Sequence, residues 1–402
     1  MNILMIAPFP IFPINVGDRV RIWQIANGIA RYIPVTLVVP YEIGSTETAV
    51  LPGNCGTLRL TLERVGIPPI NHLRRVRSLL SACPYHVALH YRAQIQQAVN
   101  QLLATEHFTH IYCHFIYSLP YTYQHNYPVI LDQHNVFTLY FHRQLMMHKG
   151  NKWRTWILQR NLNKVIQFEN NLPSNLVGVV SVSEAERVIT QAYANRSIPV
   201  WSVPNGADTE QYSYQERDPL DRFVLGFLGS MELELNERGA LVLLKEIYPA
   251  VQAHLPDRKV EAMIIGRNPS PRLIAWPQEH REQHVTVTGT VPDTLPYLHQ
   301  LDALVLPLQS GGGTKLRVLE AMAAGVCIVG NRFAFMGLDE AVPDTHICVA
   351  EDATAFVEVL CDLAENPTRR NRIAQDARQL VEQHYSWNQI TTDLAHTLQD
   401  LG

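Results

Sequence analysis

The amino-acid sequence predicts an α/β protein made of two consecutive Rossmann-like domains that face each other across a central cleft. Its 402 residues exceed what one hydrophobic core ordinarily supports. Apolar runs of strand length alternate with segments of helical periodicity, as in parallel α/β sheets, and this alternation restarts near residue 223. The predicted domains cover residues 1–205 and 206–386, and residues 387–402 form a helix that returns to the first domain.

The first domain opens with a strand, a Pro-rich loop, a helix and a second strand, which is the start of a Rossmann fold. Residues 2–7 are apolar, and residues 19–32 carry apolar side chains at helical spacing. Further apolar runs that extend the parallel sheet lie at residues 35–40, 110–115, 129–132 and 177–182. A polar stretch at residues 198–223 reads as a linker.

The second domain repeats this pattern from its first apolar run onward. Its predicted strands are residues 223–228, 260–265, 285–288, 303–307 and 326–329, and residues 239–255 are a predicted helix. After Trp387, apolar residues recur at helical spacing and predict the final helix. Ligands of open α/β sheets bind at the carboxyl ends of the strands, so we expect a site in the cleft.

A glycine-rich turn between a predicted strand and helix has the character of a phosphate site. Gly311, Gly312 and Gly313 let backbone amides approach an anion, and the positive end of the following helix faces it. Lys315 and Arg317 add full charges. Such turns also occur as plain connectors, so the loop alone is weak evidence.

Glu320 strengthens this interpretation because helical side chains lean toward the helix N-terminus. A carboxylate in the second turn can reach the hydroxyl groups of a ligand that the loop holds, and a phosphate with a diol describes a nucleotide. The alternative is an ordinary i, i+3 ion pair with Arg317.

Composition narrows the partners and cofactors. Residues 1–200 contain 17 Lys and Arg against 9 Asp and Glu, and the remainder contains 16 against 28, so the halves carry formal charges near +8 and −12. A basic half suggests an anionic membrane surface or an acidic acceptor. Nucleic acid is a less suitable partner, because the sequence has no basic tract interleaved with aromatic residues.

The six cysteines never fall at CxxC spacing and no HExxH occurs, so we expect buried thiols, no metal and no cofactor. The apolar N-terminus is too short for a signal peptide or membrane span.

Cations and tryptophans cluster on predicted helices of the first domain. They are Arg74, Arg75 and Arg77, then Lys149, Lys152, Arg154, Arg160 and Lys164 with Trp153 and Trp156. Solvated helix faces explain such residues, and so does a membrane interface.

Seven motifs in order make the chain resemble a known family. They are PINVGDRVR at 13–21, LDQHNV at 131–136, SVSEAE at 181–186, VPNGAD at 203–208, FLGSM at 227–231, GTVPD at 289–293 and the glycine-rich helix entry that ends in LEAMAAG. The chain resembles retaining glycosyltransferases of family four, which have the GT-B architecture, and especially a bacterial subgroup associated with exopolysaccharide. The resemblance spans nearly the whole chain.

The resemblance implies a nucleotide-diphosphate sugar bound by the second domain and an acceptor facing the first. It implies that Glu320 holds the ribose and that residues near Val291 and Pro292 contact the base. Basic side chains, foremost Lys315, neutralise the leaving diphosphate. His134 would contact the donor sugar. Further residues expected at the donor are Gly229, Ser230, Gly266, Arg267 and Thr314.

The sequence departs from the family at two points. Gly312 stands where many members carry the first Glu of a spaced Glu pair, so amides of the glycine turn replace that contact. The usual Arg and Lys after the first strand of the second domain are not clearly present: Ser230 stands where the Arg is common, and Arg238, at a longer spacing, is the candidate to replace the Lys. Both departures concern the donor sugar and the leaving group.

The helix start after the first loop supplies candidates for the acceptor or a phosphate. Asp18 is the expected N-cap, with Gly17 before it and Arg19 and Arg21 in the first turn. Asn135 joins this side next to His134.

These expectations describe a retaining, nucleotide-sugar-dependent glycosyltransferase in polysaccharide or glycoconjugate synthesis, with a saccharide or lipid-linked acceptor. We expect it in the cytoplasm, peripheral on the inner face of the membrane. The alternative is a non-catalytic subunit or scaffold that keeps the nucleotide pocket, which the departures at Gly312 and Ser230 motivate.

Overall fold

The computed structural model describes most of the chain as two compact units. Described are residues 1–45, 59–147, 152–193, 198–217, 221–281, 283–310 and 314–401. Unit 1 comprises Met1–Pro204 with Ile390–Gly402, and unit 2 comprises Asn205–Gln389.

The described strands of unit 1 form one parallel sheet of seven strands. They are β1 (Ile3–Ile6), β2 (Val35–Glu42), β3 (Leu60–Ile67), β4 (His110–His114), β5 (Val129–Gln133), β6 (Leu176–Ser181) and β7 (Val200–Ser202). Their order is β3-β2-β1-β4-β5-β6-β7. The order reverses between β1 and β4, so the carboxyl ends of these strands flank the topological switch point, where α/β sheets bind ligands.

Helices cover this sheet and bury its apolar strands. They are α1 (Gly17–Ile29), α2 (His72–Leu80), α3 (Tyr85–His90), α4 (Ala93–Thr105), a 3₁₀ helix (Ile116–Thr122), α5 (Phe137–Met147), α6 (Lys152–Asn170) and α7 (Glu184–Tyr193). All four residues of β1 are fully buried, because a central parallel strand is covered on both faces.

Unit 2 repeats the plan with six parallel strands in its described part. They are β8 (Arg222–Leu228), β9 (Lys259–Ile265), β10 (Val285–Gly289), β11 (Ala303–Leu306), β12 (Cys327–Gly330) and β13 (Cys348–Val349). Their order is β10-β9-β8-β11-β12-β13, which puts the switch point between β8 and β11.

The helices of unit 2 include one whose bounds differ from the predicted ones. They are α8 (Glu234–Val242), α9 (Tyr248–His254), α10 (Pro271–Glu279), α11 (Leu295–Leu298), α12 (Leu316–Ala323), α13 (Ala353–Glu365) and α14 (Pro367–His384). A π-helical turn, Leu243–Ile247, joins α8 to α9. Pro249 follows it, and the wider turn suits a residue that lacks a backbone N–H.

The last helix, α15 (Trp387–Gln399), begins in unit 2 and belongs to unit 1 from Ile390 onward. It packs against α1 so closely that a Cβ at Gly28 would lie 2.1 Å from Thr391 Oγ1. The Tyr32 and Thr392 hydroxyl groups form a hydrogen bond of 3.0 Å. The return of the final helix to the first domain, predicted with the fold class, is confirmed.

The two parallel-sheet α/β domains are likewise confirmed, but short edge strands were not predicted. β3 was missed, β7 lies inside the predicted linker, and β13 has only two residues. The expectation of buried cysteines is wrong for Cys83, which is exposed.

Candidate functional site

Beside the switch point of unit 2, the backbone after β8 and the backbone after β9 approach so closely that glycine is required. Gly266 has a φ of +148°, and a Cβ there would lie 1.7 Å from the Gly229 carbonyl oxygen. The Gly229 amide donates to the Ile265 carbonyl over 3.0 Å. Both glycines, expected at the donor, therefore shape the edge of the sheet where a ligand would bind.

Arg317, in the first turn of α12, ties that helix to the end of β8. Its Nη1 donates to the Leu228 carbonyl (2.7 Å) and to Asn236 Oδ1 (2.9 Å). Burial lowers the pKa of Arg317 to about 10, so the guanidinium stays charged at neutral pH. A Cβ at Gly229 would lie 2.4 Å from Nη1. Arg317 thus contributes a positive charge at the switch point, but the two Nη1 protons already have protein acceptors.

Glu320, in the second turn of α12, is half-buried and accepts a hydrogen bond from the Tyr212 hydroxyl. Burial raises the pKa of Glu320 to about 7, while Tyr212 and the charge of Arg317 act in the opposite direction. The i, i+3 ion pair with Arg317 is not formed between these two described side chains, because Arg317 Nη1 is directed to Leu228 and Asn236.

Tyr212 links Glu320 to the loop after β10. Its hydroxyl also takes part in a hydrogen bond with Thr294, and burial, followed by the charge of Glu320, raises the pKa of the phenol. In the same loop, Val291 is half-buried and Pro292 is exposed. The carboxylate expected at the ribose and the loop expected at the base are therefore joined through one tyrosine.

The entry to α12 is anchored on both sides. Lys315 directly precedes the helix, with extended backbone (φ −92°, ψ 112°), and is half-buried. Thr314 Oγ1 donates to the Gly337 carbonyl (3.1 Å), and Asn205 Nδ2 donates to the Thr314 carbonyl (3.2 Å). The predicted anion-binding glycines, Gly311, Gly312 and Gly313, lie outside the described residues.

Two other cations predicted at the donor, Arg267 as a binding residue and Arg238 as a clamp residue, are held by acidic neighbours. Arg267 Nε donates to Ser230 Oγ (2.6 Å), and its Nη2 lies 3.1 Å from Glu232 Oε1. Arg238 pairs with Glu234 one turn earlier on α8 (2.6 Å), and the Arg238 side chain is 58% exposed. Its clamp role stays a prediction.

In unit 1, a fully buried ion pair lies beside the switch point. Arg21 of α1 reaches Asp132 of β5, with Nε and Nη2 at 3.2 and 2.9 Å from Oδ1. Arg21 Nη1 donates to the Pro204 carbonyl (3.2 Å), and the Tyr112 hydroxyl donates to Asp132 Oδ2 (3.2 Å). Arg21 opposes the effect of burial and, together with nearby histidines, holds the pKa of Asp132 well below its usual range. Arg21 was expected on the acceptor or phosphate side; its side chain is buried within unit 1, and that role stays a prediction.

Two histidines adjoin this carboxylate. His114 Nδ1 lies 3.4 Å from Asp132 Oδ2, and His134 Nε2 lies 3.7 Å from it. Burial lowers the pKa of His114 to about 4, so its ring is neutral at pH 7. The His134 ring stacks on Phe115 with 3.8 Å between ring centroids and is 5% exposed. The contact predicted between His134 and the donor sugar stays a prediction, and the His134 ring is almost completely buried in this structure.

The start of α1 differs from the prediction. Val16 occupies the N-cap position, and no side-chain hydrogen bond caps the helix. Asp18 lies inside the first turn, where the positive end of the helix dipole stabilises its carboxylate. The expectation that Asp18 is the N-cap is therefore wrong, because the helix begins earlier, at Gly17. Arg19 donates to the Pro13 carbonyl (3.1 Å).

Asn135 remains a candidate by position. It follows His134 in the loop between β5 and α5 and is half-buried.

The cation and tryptophan surface of unit 1 is formed by α2 and α6. Trp153 and Trp156 are 75% and 55% exposed, and Leu73 and Leu80 of α2 are 63% and 68% exposed. A largely apolar groove of about 210 Å³ runs between the two helices, with Lys164 at its edge. Within the described ranges, no helix is both long enough and apolar enough to span a membrane.

Four residues of these sites were not singled out from the sequence. Tyr212, Asn236, Asp132 and His114 each act through a partner that is distant in the chain or on another element. For His114 and Asp132 the sequence offered one signal, because each is a polar residue that interrupts an apolar run at the end of a strand, β4 or β5. The position of Tyr212 gave no such signal.

Part of unit 2 and about three fifths of the chain have sequence similarity to known glycosyltransferases. Residues 222–366 match the family model described as Glycosyl transferases group 1. A lipopolysaccharide 1,2-N-acetylglucosaminetransferase of Salmonella typhimurium is 24% identical over 278 residues, which are 61% of this chain and 70% of that protein.

Solved structures share the fold at low sequence identity. Sucrose-phosphate synthase from Thermosynechococcus elongatus superposes with a TM-score of 0.72 at 15% identity, covering 100% of this chain and 99% of that one. Anabaena HepE, in complex with UDP and glucose, superposes with a TM-score of 0.66 at 15% identity and covers 100% of both chains.

The two Rossmann-like units and their structural neighbours define the fold of the protein, which is that of the GT-B glycosyltransferases. Part of unit 2 matches a glycosyltransferase group 1 domain, so this chain is similar to glycosyltransferases of family four. The resemblance is confirmed at that level, and the exopolysaccharide-associated subgroup stays a prediction.

Proposed function

We propose that this protein transfers a sugar from a nucleoside-diphosphate donor, with retention of anomeric configuration, to a saccharide or lipid-linked acceptor. The observation that carries the proposal is the arrangement around α12. Glu320, Tyr212 and Arg317 are held by specific hydrogen bonds beside the switch point of the domain that matches the glycosyltransferase model.

In this proposal, α12 receives the donor nucleotide. Glu320 accepts hydrogen bonds from the ribose hydroxyls and is kept in place by Tyr212, which also reaches the base-side loop through Thr294. UDP-sugars are the first donors to test, because UDP is the nucleotide bound by HepE.

The leaving group sets the main electrostatic requirement. Cleavage of the bond between sugar and diphosphate develops negative charge on the departing oxygen, and a prepositioned cation stabilises that charge. Lys315 is the residue we assign to it, since it directly precedes α12. Arg317 supports this role through its charge, and Arg238 would first have to leave its exposed pair with Glu234. Front-face attack, with the leaving phosphate accepting the acceptor proton, requires no side-chain nucleophile. We therefore propose no metal or cofactor for the transfer step.

The acceptor is assigned to unit 1. The surface of α2 and α6 combines exposed tryptophans with cations and a largely apolar groove of about 210 Å³, which fits an anionic bilayer presenting a lipid-linked acceptor. The protein would then act at the cytoplasmic face of the membrane as a peripheral enzyme.

A ligand screen tests the proposal and its alternative. Melting temperatures measured with UDP-, GDP-, ADP- and dTDP-sugars identify the donor, because a ligand that binds only the folded state raises the melting temperature. Release of nucleoside diphosphate from that donor supports the transferase. Binding without any release, with or without saccharide acceptors, favours the non-catalytic scaffold that the departures at Gly312 and Ser230 motivate.

A further inference from the structure

Phe115, directly after β4, has a backbone conformation that phenylalanine rarely adopts. Its φ is +62° and its ψ is 154°, in a region of backbone space that is populated almost only by glycine. The conformation costs free energy for any residue with a side chain and persists only where the surrounding structure enforces it. Glycine would adopt it without strain. An aromatic residue at this position therefore points to a function of its ring.

The turn that carries Phe115 is fixed on both sides. The Phe115 amide donates to the Asp132 carbonyl (2.9 Å), which continues the pairing of β4 with β5. The Ser118 amide donates to the Phe115 carbonyl (3.1 Å), and the fully buried Ser118 hydroxyl donates to the His114 carbonyl (2.7 Å). These hydrogen bonds hold the strained conformation in the ligand-free protein.

The Phe115 ring is 2% exposed and stacks on the imidazole of His134. The two ring centroids are 3.8 Å apart, and the ring planes are 28° from parallel. The Tyr117 ring is nearly parallel to that of Phe115, at 5° and 5.1 Å, and the Phe9 ring lies at 5.4 Å. Phe115 is thus itself held by aromatic neighbours.

The polar contacts of His134 define the orientation of its ring only weakly. His134 Nε2 lies 3.3 Å from His114 Nδ1 and 3.7 Å from Asp132 Oδ2. Both distances exceed the roughly 2.7–3.2 Å of a good hydrogen bond from a nitrogen. Buried His134 Nδ1 has no hydrogen-bond partner among the described residues. Stacking on Phe115 is therefore the contact that most restricts rotation of the imidazole.

We propose that Phe115 is a positioning residue that fixes the plane of the His134 imidazole for contact with the transferred sugar. The inference rests on the proposed transfer and on the predicted role of His134, and it adds a residue that the sequence did not single out. A rigid support suits this purpose, because misplacing a group at the reacting centre by about 1 Å can cost about a hundredfold in rate. The backbone strain at Phe115 is tolerated because it places an aromatic face against His134.

Steady-state transfer kinetics of Phe115→Leu, His134→Ala and the double variant test this role. Phe115→Leu keeps an apolar side chain and removes the flat face, so kcat should fall by on the order of ten- to a hundredfold. The KM for the donor should change little, since unit 2 binds the nucleotide in the proposed function. Because Phe115 acts through His134, adding Phe115→Leu to His134→Ala should slow transfer no further, whereas a merely structural Phe115 would give additive losses.

Phe108→Leu is the matched control. Phe108 is 1% exposed and lies just before β4, at the opposite end of that strand from Phe115. This variant should lower the melting temperature and leave kcat unchanged. Equal losses of kcat in Phe108→Leu and Phe115→Leu, additive losses in the double variant, or wild-type kcat in Phe115→Leu or His134→Ala would overturn the inference and leave the proposed function standing. A wild type that transfers no sugar would contradict the proposed function, and this inference with it.

A second variant and a spectroscopic measurement cover the case in which Phe115→Leu fails to fold. Phe115→Met takes its place in the kinetics, because methionine fills irregular space without presenting a flat face. In proton NMR of the wild type, the Hε1 resonance of His134, assigned by its absence in His134→Gln, should lie upfield of unstacked imidazoles, since an aromatic ring at 3.8 Å shields it. A resonance in the ordinary range would show that the stacking is absent and overturn the inference.

Discussion

The Glu320 carboxylate illustrates what can be read from local sequence and what cannot. Its place in the second turn of a helix behind a glycine-rich loop predicted a role at a nucleotide. In the structure this carboxylate accepts a hydrogen bond from the Tyr212 hydroxyl. Tyr212 could not be predicted, because the contact joins residues from distant parts of the chain. For the same reason, the sequence left the Arg317 pairing open until the hydrogen bonds of Arg317 were located.

Replacing Glu320 tests the ribose assignment. Glu320→Gln should weaken binding of the free nucleoside diphosphate by about 1–3 kcal/mol, because a charged hydrogen-bond acceptor is lost. Calorimetric titration measures the affinity, with Glu279→Gln at an exposed position of α10 as the matched control. Tyr212→Phe should cause a smaller loss, since the carboxylate remains. If Glu320→Gln binds the nucleoside diphosphate as tightly as the wild type, Glu320 does not contact the ribose and has only a structural role.

The same carboxyl group should make stability depend on pH. The pKa of Glu320 is about 7 in the folded, ligand-free protein, against about 4.5 for an ordinary glutamate side chain. The folded state therefore binds more protons between these values, and the contribution of Glu320 to the free energy of unfolding decreases as pH rises from about 4.5 to 7.

Denaturant unfolding at a series of pH values isolates this contribution. Relative to the wild type, Glu320→Gln should become more stable as pH rises through that window. Glu186 in unit 1 also has a pKa raised to about 7, and it titrates equally in both proteins. A constant difference between the two proteins across the window would show that the pKa of Glu320 is not raised.

Elements were predictable where they lie at the centre of a sheet. The central strands of both sheets are continuous apolar runs, because parallel strands are covered on both faces, and their bounds were found within about two residues. β3 alternates polar and apolar residues at an edge, and β7 and β13 are only three and two residues long. Such edge strands form because a neighbouring strand pairs with them, so their own residues show little of the pattern that predicts a strand.

The surface of α2 and α6 makes a prediction at this scale. Protein should co-sediment with vesicles containing anionic lipid, and less so as salt increases, since each surface cation adds roughly 1 kcal/mol that salt screens. Reversal of Lys152 and Arg154 to glutamate should weaken attachment. Lys149, expected to contribute, lies outside the described residues.

A matched reversal controls for net charge. Arg272→Glu with Arg281→Glu changes two exposed cations of unit 2 and should leave attachment unchanged. Equal sedimentation with neutral and anionic vesicles, or equal losses for both double variants, would contradict attachment of the α2 and α6 surface to an anionic membrane.

For the whole molecule, repetition of the strand and helix pattern was the decisive signal. It predicted two Rossmann-like domains, and the final apolar helix predicted the return to unit 1. The buried cluster of Arg21, Asp132, His114 and His134 could not be predicted, because it forms only when α1, β4 and β5 are assembled. Local sequence therefore indicated the candidate residues of α12 in unit 2, but it did not indicate the polar interior of unit 1.

The central claim is that a cation at the entry to α12 drives departure of a nucleoside diphosphate, and turnover of the donor measures it directly. With the nucleotide sugar that raises the melting temperature most, wild-type protein should release nucleoside diphosphate, and NMR should show the sugar transferred with its anomeric configuration retained. Lys315→Ala should fold normally and be slower by on the order of a hundredfold, as when one charge-stabilising group is removed from an active site. Turnover by Lys315→Ala equal to that of the wild type, or a wild type that binds the donor without ever releasing the diphosphate, would contradict the account.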